Sequence, residues 1–319
     1  MGKKKDTKPK MQTPEKLLAK LTKELEKQNF KTEDDFNKFM QENILGRELD
    51  FDEEESLTNP QKAQDLIWDA WELDNPEDRV ELALKALELD SNCADAYNLL
   101  AEDKAESYLE TLNYYLKAIE AGKKTLGNEF EEFKGTFWGF HETRPYMRAM
   151  GGLAHTFFQS NQIEKAIDTW EEMLILNPSD NQGVRYMLIT ALLAIRKYKA
   201  AEKLIKTYKN DASATWLYSK AYLFFNQEAK KPLATKALIK AMKYNPYVPL
   251  LLFGLRDMPD EMPEYLGFGD ENEAVEYANS AIYLWAENKK AFIWFMDTHK
   301  KNVEELDAIL EKKERERKN

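Results

Sequence analysis

Three histidines and a single cysteine are the residues of this 319-residue chain closest to acid–base, nucleophilic or metal chemistry: His141, His155, His299 and Cys93. His141 stands in the run His141-Glu142-Thr143-Arg144, where a group titrating near neutrality has a carboxylate and a guanidinium for neighbours. His141, Glu142 and Arg144 are therefore the acid–base candidate, and an enzyme centred on them is one of three function classes the sequence raises. A triad or a zinc site needs ligands spaced so that the fold can converge them, and neither HExxH nor any paired Cys/His spacing occurs. Each histidine reads as solvated or structural. The phosphate-binding patterns GxxxxGK and GxGxxG are missing too, so no catalytic residue, cofactor or metal is expected. A lone Cys93 excludes an internal disulfide and a multi-cysteine metal site, which fits a reducing cytoplasm. The acidic run Glu48, Asp50, Asp52, Glu53, Glu54 and Glu55 lacks the alternating oxygen ligands and central glycine of a calcium loop, and reads as a linker.

Binding chemistry is better represented, and its residues are ordered by a repeat. Alanines recur at Ala166, Ala200 and Ala234, two steps of 34, each followed after four residues by Trp170, Leu204 or Leu238. Asn177-Pro178 and Asn245-Pro246 lie two such steps apart. This large–small pattern ending in proline resembles the tetratricopeptide repeat, a pair of antiparallel helices that buries its apolar face only against its neighbours. In such repeats the first helix lines a concave groove. Counting first helices from Met147, Asn181 and Thr215, the groove set contains Arg148, His155, Arg185, Tyr186, Trp216 and Lys220. A basic and aromatic face in an acidic protein suits a protein or peptide with an acidic or C-terminal carboxylate end, since arginine pairs carboxylates through two parallel N–H bonds. The asparagines of a chaperone-binding carboxylate clamp are absent from the ninth positions, where His155, Ile189 and Leu223 stand, so a chaperone tail is not the expected ligand.

Composition sets the remaining limits. Apolar residues at 43% supply a core, while 32% charged residues describe a wet surface. No apolar run approaches the roughly 20 residues of a membrane span. The lysine-rich start lacks the apolar stretch of a signal peptide, so export is not expected. A formal charge of −11 argues against nucleic acid except through the basic tail carrying Lys3, Lys4 and Lys5, the basis of the second function class, a ribosome- or nucleic-acid-associated factor.

Helical spacing divides the chain into a disordered basic tail (1–12), N-terminal helices with the acidic linker (13–58), diverged helical repeats (59–122), an aromatic insert (123–146), three tetratricopeptide-like repeats (147–249), a C-terminal helical cap (250–310) and a charged tail (311–319). Thr13-Pro14 and Asn59-Pro60 are cap-then-proline helix starts. The insert mixes Gly127, Gly135 and Gly139 with Phe130, Phe133, Phe137, Trp138 and Phe140. Aromatics this dense must be buried, and the segment either guards the groove or fills it, with Arg148 or Arg185 as internal partners.

Further residues resemble a particular family. Ala96 to Ala105, reading Ala-Tyr-Asn-Leu-Leu-Ala-Glu-Asp-Lys-Ala, is similar to the corresponding part of the suppressor-of-tumorigenicity-seven family. So are Asn245-Pro246-Tyr247-Val248-Pro249 and Glu273-Ala274-Val275-Glu276-Tyr277-Ala278. Phe137-Trp138-Gly139 and Glu142 to Arg148 resemble soluble tetratricopeptide-like relatives of it, and the likeness runs from about Glu77 to Phe295. Animal members carry membrane segments that this chain lacks, so the resemblance implies a fold and no membrane role, and it brings no catalytic residues. The expectation is an all-α helical-repeat solenoid with an aromatic, glycine-rich insert and extra N-terminal helices. Its expected role is a cytoplasmic, non-catalytic scaffold or adaptor for a protein partner.

Overall fold

The computed structural model describes residues 13–46 and 57–318. The basic tail with Lys3, Lys4 and Lys5, and acidic residues 47–56, lie outside the described residues. Among the described residues the protein is all-α, in short helices that follow one another like repeats. The chain divides into two units, the first ending at Asn181 and the second beginning at Gln182.

Unit 1 holds α1 (Pro14–Glu26), α2 (Glu33–Asn43), α3 (Asn59–Trp71), α4 (Pro76–Leu89), α5 (Ala94–Asp103), α6 (Tyr108–Leu126), the short α7 (Glu129–Glu132), α8 (Arg144–Gln159) and α9 (Ile163–Leu176). Successive helices form hairpins: α3 packs on α4, α5 on α6 and α8 on α9, while α5 and α6 both support α8. Thr13 caps α1 by accepting the Lys16 N–H, with Pro14 in the first turn where its missing N–H costs nothing. Two glycines set the seat of α8. A Cβ on Gly152 would come within 2.2 Å of the buried Tyr115 ring of α6, and one on Gly122 within 3.1 Å of Tyr146. Only glycine lets these helix surfaces approach so closely.

That contact also explains where the aromatic insert differs from expectation. Helix α6 continues through Gly122 to Leu126, because Tyr146 packs where a larger side chain would stand. What remains is α7 and two 3-10 turns, Phe137–Gly139 and His141–Thr143, before α8 begins at Arg144. Phe137 is fully buried, edge-on to Phe130 and Tyr146, whereas Phe140 is exposed against Phe133.

Unit 2 holds α10 (Val184–Ala194), α11 (Tyr198–Thr207), α12 (Ala214–Asn226), α13 (Lys231–Tyr244), α14 (Tyr247–Leu252), α15 (Glu271–Glu287), α16 (Lys289–Lys300) and α17 (Val303–Lys318). Its core stacks Tyr218 of α12 on Tyr277 of α15, and the Trp285 indole donates to the Tyr277 hydroxyl. The Asn-Pro junction has a specific task here. Asn245, fully buried, donates to Asp270 O and Glu273, takes the Tyr247 N–H, and offers its carbonyl to Tyr218. Glu273 also accepts the Ala214 and Gly269 N–H groups, so one buried carboxylate satisfies three donors of different segments. The C-terminal charged residues are helical and not a loose tail: α17 runs to Lys318, held by Arg317 to Glu271 and by Arg256, which bridges Glu271 and Glu314.

The repeat leaves a local signature in both units. Asn161, after α8, and Arg196, after α10, both adopt left-handed backbone (φ 60° and 61°). The next N–H reaches back to Phe157 O and Leu192 O respectively, 2.8 Å in each case. Helix ends closed this way turn the chain sharply into the next helix. Of the periodic alanines, Ala166 and Ala234 are buried and Ala200 is half-buried beside a fully buried Ala201.

Candidate functional site

A polar cluster in unit 1 lies where α1, α3, α5 and the start of α8 meet. Its centre is Asp95, whose side chain is 0% exposed. A buried carboxylate must be paired and fully hydrogen-bonded to persist. Arg148 pairs with it through two bonds, Nε to Oδ1 at 2.8 Å and Nη2 to Oδ2 at 2.6 Å. Gln64 and Asn98 donate to the same carboxylate at 3.0 Å, and Asn98 also reaches Pro145 O. The Arg148 guanidinium lies 4.8 Å from the Trp71 ring centre. Burial works against its charge, but Asp95 and then Glu15 outweigh that effect and push its pKa still higher, so it is cationic at any relevant pH.

Glu15 comes from α1. Its Oε1 accepts from Arg148 Nη1 at 2.8 Å and from Arg144 Nη1 at 3.4 Å. Arg144 is fixed in turn by its Nε donating to Trp138 O and by the Trp138 ring 5.4 Å away. One residue on, Lys16 bridges Asp69 (3.0 Å) and Asp65 (3.8 Å) of α3. Burial raises the Asp65 carboxyl, partly offset by Lys16. The cluster can hold a carboxylate between two guanidiniums flanked by tryptophan, and an ammonium between two carboxylates beside it.

The residues predicted as a groove behave differently from one another. Arg148 is at the centre just described. His155 is exposed on α8, with Nε2 2.7 Å from Gln159. In unit 2, Arg185 donates to Asp211 at 2.8 Å and stacks 4.2 Å over Tyr186, whose hydroxyl also donates to Asp211. Trp216 is 2% exposed, walled edge-on by Tyr186 and Tyr208, and has no surface to give a ligand. A first-helix position that looks outward in the repeat register is here covered by the neighbouring aromatic rings. Lys220 is exposed, 5.7 Å from the Phe224 ring centre.

Among the insert residues, Phe137 is core, Trp138 and Arg144 join the cluster, and Gly139 has nothing within 4 Å of a notional Cβ. His141 Nδ1 lies 3.3 Å from Glu142, while Arg144 turns to Trp138 O and Glu15. The insert's contribution to the arginines is thus one carbonyl and one ring, both given to Arg144. Cys93 caps the core side of α5, and burial pushes its thiol up to about 12, far from a reactive thiolate. Among the described residues no three His, Cys, Asp or Glu side chains gather as a metal site, and no helix is long and apolar enough to cross a membrane.

Sequence reasoning missed Glu15, Asp95 and Trp71. Asp95 carried a readable signal, a lone carboxylate among Cys93, Ala94, Ala96 and Leu99, since a charge in an apolar surround needs a buried partner. Glu15 carried none, because a first-turn glutamate is ordinary helix chemistry.

The model of the ST7 protein family matches residues 49–141, which include Trp71, Asp95 and Trp138 and end just before Arg144. The chain is 25% identical over 239 residues to the suppressor of tumorigenicity 7 protein-like of Gallus gallus, covering 68% of this chain and 43% of that protein. It is 24% identical to the protein of the same description in Homo sapiens over 241 residues, and 26% identical to the ST7 homolog of Caenorhabditis elegans over 262 residues. These matches span 41% and 47% of those two proteins, so the chain spans under half the length of the relatives it matches. The family model and the curated relatives point the same way: this chain is similar to ST7 proteins over about two thirds of its length.

Proposed function

We propose that the protein is a non-catalytic interaction scaffold, built of tetratricopeptide-like hairpins and working in the cytoplasm, that receives an acidic helical segment of a protein partner. The observation that carries this reading is the docking of α1: a helix from outside the hairpins is held on them through a carboxylate between Arg144 and Arg148. Paired guanidiniums beside aromatic faces recognise a carboxylate with defined geometry, and the adjoining Asp65 and Asp69 add selection for a cation one residue further on. The all-α fold and the likeness to ST7 proteins are compatible with this role.

The test is a partner recovered by cross-linking in cells, then purified and titrated against the full chain. Arg144→Ala should weaken its binding tenfold or more while helix content by circular dichroism stays the same. A partner bound equally by both chains would remove the site from this face. Failure to recover any discrete partner would count against the scaffold itself.

A further inference from the structure

The manner in which α1 is held differs from that of every helix it touches. Its apolar stripe, Leu17, Leu18, Leu21 and Leu25, is only half-buried throughout, whereas α5 buries seven of its ten residues. Its first turn is anchored by charge, Glu15 to the two arginines and Lys16 to the two aspartates. Every partner in these pairs except Asp69 keeps only 14–29% of its side-chain surface exposed, so the first turn is held by shielded charge, while the leucines behind it lack the apolar burial that fixes α5.

The site beneath is built to survive the helix leaving. The two bonds from Arg148 to Asp95, and those from Gln64 and Asn98 to the same carboxylate, involve no atom of α1. With Glu15 the four charged groups Glu15, Asp95, Arg144 and Arg148 balance; without α1 one positive charge is left over there, next to Trp71 and Trp138, and Asp65 and Asp69 lose the Lys16 ammonium beside it. Such a surface draws in another carboxylate. Residues 27–58, which include α2, separate α1 from α3 along the chain.

Building on the scaffold reading above, we infer that α1 is an exchangeable, tethered occupant of the partner site. The partner it yields to is a protein helix with the same chemistry: a glutamate or aspartate in its first turn, a lysine or arginine next to it, and leucine-like residues at helical spacing behind. Tethering gives α1 a high effective concentration, so a partner must either bind more tightly than α1 or arrive with more than one contact. The resting protein is thereby closed to weak acidic helices.

The probe is a fluorescein-labelled peptide of residues 13–28, added to the full chain. The unaltered chain should bind it weakly, because its own α1 is in place. Glu15→Arg repels α1 from Arg144 and Arg148 and should tighten peptide binding at least tenfold, and Arg144→Ala in the Glu15→Arg background should abolish the gain. Saturating peptide should also speed hydrogen exchange in the chain's own residues 14–26 while α5 and α8 stay protected. If Glu15→Arg leaves peptide binding unchanged, with α5 and α8 still protected, α1 is a fixed structural helix and the inference falls. That result is separable from failure of the scaffold reading: a purified partner weakened by Arg144→Ala but indifferent to Glu15→Arg would retain the site and reject the exchange.

Discussion

Two arginines near the starts of their helices, Arg148 of α8 and Arg185 of α10, make nearly the same local constellation and serve different ends. Each pairs with an aspartate that is almost wholly buried, Asp95 or Asp211, and each lies against an aromatic ring. Arg185 takes its aspartate from 26 residues away within one hairpin connection, and the same carboxylate accepts the Ser213 N–H and the Tyr186 hydroxyl. Arg148 spans 53 residues to Asp95 and 133 to Glu15. The first is a local clasp. The second ties three distant segments together and leaves one of its ligands on a helix with a shallow seat, the geometry on which the proposed site rests.

The sharpest test of that contrast is to remove each guanidinium while keeping an apolar stem. Arg148→Met leaves Asp95 buried without its cation, a loss of roughly 3–5 kcal/mol in urea unfolding of the full chain. Arg185→Met should cost less, about 1.5–3 kcal/mol for the lost charged hydrogen bond, because the Asp211 side chain keeps 7% of its surface exposed where Asp95 keeps none. Equal losses would mean that the two aspartates are equally supported and the contrast is false.

A second measurement addresses what holds Arg148 in register. Gly152→Ala puts a methyl into the Tyr115 ring one turn beyond Arg148 and should destabilise by about 1–3 kcal/mol. Since α8 would be lifted from α6, binding of the 13–28 peptide to the Glu15→Arg chain should weaken as well. Loss of stability with the peptide bound as before would uncouple the helix seat from the site.

The smallest expected effect is on pH. Burial raises the Asp211 carboxyl, but Ser213, Arg185 and Tyr186 outweigh it and hold its pKa below the usual carboxylate range. The unfolded chain then takes up its proton first as pH falls. The contribution is therefore fully present above about pH 5 and drains away as pH drops through the lower native value. The difference in unfolding midpoint between the unaltered chain and Asp211→Asn should shrink from pH 6 to pH 3; a difference that grows with acidity would reverse the sign argued for this group.

Much of the helix pattern was readable in residue spacing. Pro14 and Pro60 lie in first turns as the cap-then-proline reading implies, although the second cap is Thr58 and not Asn59, and Trp170, Leu204 and Leu238 are buried as a repeated large residue predicts. Boundaries were less legible where a glycine belongs to a helix contact instead of a turn. The aromatic insert reads as starting at residue 123, yet α6 runs on to Leu126, and Gly122 within it lets Tyr146 occupy the space a side chain would need. Trp216 and Lys220 show the same limit for the site: four residues apart on one helix, one is sealed by Tyr186 and Tyr208 and the other is exposed.

By itself, the sequence determined that this protein is helical, that its helices come as short repeated pairs, and that arginine and aromatic side chains stand beside the periodic core positions. Those properties follow from spacing along the chain, because a helix's buried face is set by residues three and four apart. Which arginine is clasped locally and which gathers distant segments was decided only by tertiary structure. Glu15, Trp71, Asp95 and Arg148 are far apart in sequence, and a long-range ion pair leaves no periodic mark; it exists only once α1, α3, α5 and α8 have packed and the water between their charges has gone.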